Sequence, residues 1–311
     1  MNSGDVTRVL TWVQSCIPRG SAVAIMDVPV HRNAGDLFIL ATTERLLTGL
    51  DCRVVHRTGV RDYRVAAARR QIGRDTILLG LGGGNFGDDY PRYQALRESV
   101  VRDFPANRIV IMPQTIHFAS RSALGRAVEV LSPHEDLHIA VRDAGSGEIA
   151  RRFTSRVTLL PDIVDALGAD GPAPRASTRG EDVLVLMRRD QERAPRAAPA
   201  EREVDWPDVF PELLGRVAVA AAGMTVAPAA MSARLHASWS AYAEDVFCRG
   251  RSRIQSAAHL VTDRLHAAIL ARLAGTPITL RDGAYGKLAA YYETWWKDDP
   301  AIHLESPRVR E

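Results

Sequence analysis

Along the chain, short runs of apolar residues alternate with longer stretches whose apolar positions recur every three or four residues. That alternation predicts parallel sheets with helices on both faces. Residues 21–28 (SAVAIMDV) read as a first strand, 37–49 as a helix ending on Gly49, and 53–56 as a second strand. Residues 76–81 (TILLGL) form a buried strand and run into a glycine-rich segment, Gly82 to Asp88, which reads as a loop. A helix over 93–102, a strand over 108–112 closed by Pro113, and strands at 138–142 and 157–160 complete the first half.

The pattern then changes. Residues 168–180 are rich in Gly, Ala and Pro and lack apolar periodicity, as linkers do. Beyond them lie a strand at 182–187, a charged Pro/Ala-rich insertion at 191–203 expected as an exposed loop, and a helix over 228–255. A strand at 259–263, a helix over 264–273 stopped by Gly275, a strand at 277–280 and an aromatic-rich helix over 285–296 follow. The expected fold is α/β, with two doubly wound Rossmann-like domains over 1–167 and 181–284. The segment 285–311 is expected to pack across their seam, and the cleft between them is the default binding site.

Composition narrows the classes. With 46% hydrophobic and 25% charged residues over 311 positions, disordered, collagen-like and coiled-coil chains are excluded. Forty basic against 37 acidic residues leave +3, and no basic stripe with interleaved aromatics argues for nucleic acid. Of the 40 basic residues 38 are arginine, with Lys287 and Lys297 the exceptions. Most of that skew reads as coding bias, so the arginines that matter are the few at strand ends. Cys16, Cys52 and Cys248 are odd in number and form no C-x-x-C pair, so neither a disulfide framework nor a zinc site is expected. With no secretory leader pattern, a cytoplasmic location is expected. The most apolar stretch, 217–231, is broken by Gly223 and Pro228 and is too short for a bilayer, leaving at most peripheral membrane contact.

Gly82, Gly84 and Gly87 spell G-x-G-x-x-G, but Asp88 to Pro91 delay the helix and the next strand ends in Pro113 without an acid. A dinucleotide site is therefore disfavoured. The better reading is a strand-end loop whose glycines admit a ligand, with Asn85 and Asp88 bonding a polyol. Asn33 and Asp36 follow the first strand. Asp36 alone reads equally as a helix cap, yet two polar loops at strand ends converge on one crevice. His117, beside Gln114 and Thr115, falls at the end of a third strand. In the second half, Arg188 and Arg189 directly follow a strand and suit a bidentate clamp, a solvated pair being the alternative. Asp263, Arg264, Leu265 and His266 span a strand-to-helix junction that joins a helix N-terminus, an arginine and a histidine. The same letters, RLHA, recur at 234–237 inside a helical pattern, where they carry no such mechanism.

The ordered set resembles the polysaccharide pyruvyltransferase family. It consists of Asn33-x-Gly-Asp36, Gly82 to Asp88, Met112 to His117, Arg188-x-Asp190-x-Glu192, Asp263 to Ala267, Gly275-Thr-Pro277 and Tyr285-Gly-Lys287, and covers about 28–296. The resemblance implies a GT-B-like fold and transfer of pyruvate from phosphoenolpyruvate (PEP) to hydroxyls of a glycan or lipid-linked precursor, usually as a ketal. No cofactor or metal is implied. It places PEP on Arg188, Arg264, Leu265 and His266, with Arg189 and Lys287 as secondary candidates. Catalytic candidates are His266, His117, Asp263 and Asp36, with the roles of the two histidines interchangeable. Acceptor candidates are Asn33, Asp36, Asn85, Asp88 and Gln114. A nucleotide-sugar glycosyltransferase and a non-catalytic glycan-binding protein are the alternatives.

Overall fold

The computed structural model describes residues 3–167, 182–190, 203–226, 229–282 and 286–305. The expected linker, nearly all of the 191–203 insertion, Tyr285 and the last six residues lie outside the described residues.

The first half contains α1 (Ser3–Cys16), β1 (Ala22–Ile25), α2 (Ala34–Gly49), β2 (Arg53–Arg57), α3 (Val65–Gln71), β3 (Ile77–Gly80) and β4 (Gly83–Gly87). It continues through α4 (Pro91–Asp103), β5 (Ile109–His117), α5 (Arg121–Leu131), β6 (Leu137–Val141), α6 (Ala144–Ala150), β7 (Val157–Leu159) and α7 (Ile163–Leu167). The second half contains β8 (Val183–Leu186), β9 (Glu203–Val204), α8 (Trp206–Val209), α9 (Leu213–Val226), α10 (Ala229–Gln255), β10 (His259–Thr262), α11 (Leu265–Ala274), β11 (Ile278–Arg281), α12 (Lys287–Trp295) and β12 (Ile302–Glu305).

The strands form two parallel sheets, ordered β2-β1-β3-β5-β6-β7 and β12-β11-β10-β8-β9. In each, the chain leaves the first strand (β1 or β8) to one side, returns on the other (β3 or β10) and continues outward. Such a reversal opens a crevice at the carboxyl ends of the two strands that flank it.

Two expectations fail at the glycine-rich segment. It is a strand, not a loop: β4 pairs with the far half of β5, Gly83 opposite Gln114 and Gly87 opposite His117. Strand β5 likewise does not stop at Pro113 but runs on to His117. Proline lacks a ladder donor, and the registers of β5 with both β4 and β6 shift around it. The glycines serve this contact: a Cβ on Gly87, whose φ is +133°, would lie 1.6 Å from the His117 carbonyl oxygen. Glycine without side chains leaves no alternating pattern to read, which is why the strand is invisible in sequence. The helices α1, α3, α5, α6, α7, α8 and α9 and the strands β9 and β12 were not expected either.

Alternate residues of the central strands feed two cores, as a period of two requires. Ala24, Leu78 and Ile111 join Phe86, Phe104 and Phe153 on one face of the first sheet. Val23, Leu79 and Val110 face a larger cluster that runs through Phe38 and Trp206 to Leu280 and Ile302, so the two sheets share it. Polar ties reinforce the join. On α10, Glu244 takes Arg45 of α2 at 2.7 Å to both oxygens, Trp239 donates to Pro29 O at 2.8 Å, and buried His236 meets Asp62 at 2.8 Å. His236 belongs to the second RLHA copy, which is thus structural. From α12 and the residue after it, Tyr291 and Trp296 both donate to Asp165 at 2.9 Å, and Trp295 donates to Arg142 O at 2.7 Å. Among the described residues no helix is long and apolar enough to cross a membrane, and the three cysteines are free thiols.

Candidate active site

A cavity of about 480 Å³ is lined by residues from both halves of the chain. Its wall takes His31, Asn33 and Asp36 from the loop after β1 and the start of α2, and Gly84 and Asn85 from β4. The second sheet supplies Arg188 and Asp190 after β8, Asp263 to His266 after β10, and Lys287 at the start of α12.

The first wall carries Arg61, Arg92 and Arg142 beside a chain of neutral and acidic groups at the start of α2. Asn33 caps α2, its Oδ1 accepting the Gly35 N–H at 3.3 Å, while its Nδ2 donates to Asp36 at 3.1 Å. The cap reading therefore falls to Asn33 and not to Asp36, whose carboxylate also meets His31 at 3.2 Å. Burial lowers the His31 imidazole below its ordinary value, with Asp36 opposing.

The second wall is ion-paired. Arg264, 8% exposed, lays its guanidinium against both oxygens of Asp205 at 2.6 and 2.7 Å and reaches Asp190 at 3.3 Å. Asp263 accepts the Arg188 N–H at 2.7 Å and so ties the ends of β8 and β10 together. Arg188 pairs in turn with Asp190 at 2.8 Å. Arg264 is the N-cap of α11 and offers no capping side chain. The N–H groups of Leu265 and His266 have no acceptor among the described residues, and such groups carry the positive end of a helix dipole.

The walls touch at Gly35. A Cβ on Gly35 would stand 2.5 Å from His266 Nδ1, so only glycine lets α2 pass the imidazole. The other ring nitrogen, Nε2, lies 3.5 Å from Asp162 Oδ2, and the same oxygen takes Arg142 Nη1 at 2.6 Å. Burial alone would push the Asp162 carboxyl up, but His266 and Arg142 beside it hold it well below the usual carboxylate range. Arg142, itself a cavity residue, also donates to Thr115 at 3.0 Å.

Of the residues expected from sequence, Asn33, Asp36, Asn85, Arg188, Asp263, Arg264, Leu265, His266 and Lys287 line this cavity. Four others do not, and each has a physical reason. Gln114 is fully buried in β5 and donates to Leu81 O at 2.7 Å. Asp88 accepts the N–H groups of Ala119 and Ser120 at 2.8 Å, closing the turn before α5. His117 turns to Asp89 at 2.9 Å. Arg189, half exposed, turns to Asp208 at 2.8 Å and Glu203 O at 2.9 Å. The sequence showed no metal-ligand cluster, yet Asp88, Asp89 and His117 bring their ligand atoms within 4.8 Å. These groups already serve the backbone, each other and Lys287, whose Nζ is 3.6 Å from Asp89. Sequence reasoning missed Arg142, Asp162, Asp205 and His31. Arg142 had a signal, an arginine ending a strand as Arg188 follows one.

The profile of the family described as "Polysaccharide pyruvyl transferase" matches residues 33–208. The chain is similar to "Putative pyruvyl transferase EpsO" of Bacillus subtilis, at 31% identity over 95% of this chain and 92% of that one. It is also similar to "Pyruvyl transferase 1" of Schizosaccharomyces pombe, at 31% identity over 88% and 69%. A crystal structure of an uncharacterized Klebsiella pneumoniae protein superposes with a TM-score of 0.65 at 16% identity, covering 99% of this chain and 100% of that one. That last likeness concerns the fold.

Proposed function

The chain belongs to the polysaccharide pyruvyl transferase family, and from that premise we propose that its cavity moves the pyruvate moiety of PEP onto saccharide hydroxyls as a ketal, releasing phosphate. The paired doubly wound sheets suit a GT-B-like arrangement, with 1–167 on the acceptor side and 181–284 on the donor side.

The observation that carries the reading is the uncapped start of α11 set among Arg264, Arg188 and Lys287. PEP bears a carboxylate and a phosphate, and a partly dry site with planar cations and free N–H groups holds such an anion. Asp205 and Asp190 keep Arg264 and Arg188 in place and limit the cost of burying them. Arg142, missed in sequence, adds a further cation on the wall.

The chemistry then follows from charge. A proton delivered to the PEP methylene carbon makes a methyl group and leaves C2 electrophilic. His266 fits this role, because it lines the cavity and its Nε2 is turned to the anionic Asp162. A sugar hydroxyl oxygen bonds to C2 and passes its proton to Asp36 across the cavity. The C2–O bond to phosphate breaks, phosphate departs with its electron pair, and a second hydroxyl closes the ketal. Of the two hydroxyl protons, one balances the proton spent on the methyl group and the other leaves on phosphate. His117 lies off the cavity and has no part in this scheme.

The test is phosphate release from PEP with and without saccharide acceptor, beside thermal-shift titrations with PEP and with UDP- and GDP-sugars. Stabilisation by PEP and acceptor-dependent release are expected. Stabilisation by nucleotide sugars and not by PEP overturns the proposal and favours a glycosyltransferase.

A further inference from the structure

Asn85 carries more information than its place on the wall. Its Oδ1 accepts from Arg97 Nη2 at 3.0 Å and from Gln114 Nε2 at 3.5 Å. Arginine has donors and no acceptor, so the amide atom that faces Arg97 must be the oxygen. Gln114 is oriented by the same logic, because its Nε2 donates to the Leu81 carbonyl at 2.7 Å. The amide of Asn85 therefore has one orientation, with Oδ1 inward. Its Nδ2 has no acceptor among the described residues, while the residue lines the cavity.

Arg97 is built for this task. It is 8% exposed, lies 4.1 Å above the Phe86 ring, and sends Nη1 towards Gln94 at 3.4 Å. Burial lowers it to about 10, so it keeps its charge at neutral pH. Beside Asn85, a Cβ on Gly84 would stand 3.4 Å from Arg142 Nη2. Asn85 and Arg142 thus both turn donors to this patch, and the Asp36 carboxylate adjoins it, 3.4 Å from a Cβ built on Gly83. That carboxylate belongs to the His31–Asn33–Asp36 patch. A hydroxyl needs an acceptor for its own proton, whereas an anionic oxygen takes several donors and gives none.

We infer that Asn85 donates its amide N–H to an anionic oxygen of the PEP donor, and that Arg97 and Gln114 are positioning residues that hold the amide in the donating orientation. This rests on the function proposed above and moves Asn85 from the acceptor side, where its sequence context put it, to the donor side.

Asn85→Asp is the sharpest variant, because the new carboxylate keeps a partner in Arg97 while presenting an acceptor and a charge to the ligand. Calorimetric PEP titration is expected to show at least a tenfold loss of affinity, with the ligand-free melting temperature nearly unchanged. Arg97→Met is expected to weaken PEP binding several-fold in the wild-type background and to cost nothing further in Asn85→Ala. A purely structural Arg97 would cost the same in both backgrounds. Unchanged PEP affinity in Asn85→Asp, or equal costs of Arg97→Met, overturns this inference alone. A wild-type protein that does not bind PEP overturns the proposed function and this inference together.

Discussion

Two helix starts meet in the cavity, and they are finished in opposite ways. At α2 the Asn33 side chain caps the first turn and Asp36 adds a carboxylate. At α11 the cap position is an arginine that caps nothing, and an imidazole follows two residues later. One strand-to-helix junction is closed against ligands and leaves an acid to accept protons. The other is left open and surrounded by cations. The contrast teaches that doubly wound topology supplies the place, while the choice of cap residue decides which charge is read there.

Arg264→Ala should erase the contrast most severely. It removes the cation at the open helix and strands the buried Asp205 carboxylate. A fall in PEP-dependent phosphate release of about 10³-fold or more is expected, with a loss of roughly 3–5 kcal/mol in denaturant unfolding. Near-normal turnover would mean that the open helix start is not the anion site.

Asp162→Asn tests the bridge between the walls. The folded Asp162 carboxyl lies below its unfolded value, so its contribution to stability is full above about pH 4 and is lost as the pH falls further. The variant should be about 3 kcal/mol less stable at pH 7, and acid titration of its unfolding should lack that loss below pH 4. A parallel fall in both proteins would remove Asp162 from the bridge.

Asp27, just beyond β1, runs the other way. Burial raises it to about 6, so ionisation costs folding stability as the pH climbs from about 4 to 6. Asp27→Asn still accepts the Leu81 N–H that Asp27 takes at 2.7 Å. It should gain about 2 kcal/mol at pH 8 and nothing at pH 4, as read by chemical denaturation. Equal stability at both pH values would contradict the raised carboxyl.

The smallest effect belongs to the closed junction itself. Asn33→Ala should cost about 1 kcal/mol through the lost cap, measured by thermal unfolding, with PEP affinity retained. A large loss of PEP affinity would show that the two junctions are not separate in function.

What was legible in the sequence follows the same division between local and distant causes. Strands such as β1, β3 and β10 are continuous apolar runs, and the polar residues immediately after them had to fall at strand ends. Hence Asn33, Asp36, Arg188 and Arg264 were found. β4 was not, because glycines carry no pattern, and β5 was cut short because proline usually ends a ladder. Asp88 and Gln114 had the right composition for a site but spend their polar atoms on the backbone. Asp205 and Asp162 were invisible because their meaning comes from partners 59 and 20 positions away.

The apolar cluster that runs from Val9 to Ile302 also has a consequence in time. The first sheet and its helix α2 are fully translated well before the second half that packs against them. At roughly 5–20 residues per second, synthesis from the end of α7 to β12 takes on the order of 7–27 s at that pace. For that interval the sides of α2 and α7 that α10 and α11 will cover are open to water. The nascent chain is therefore a customer for chaperones that shield apolar surface. A ribosome stalled between the two halves would release a first sheet prone to aggregation, however well its own strands pair.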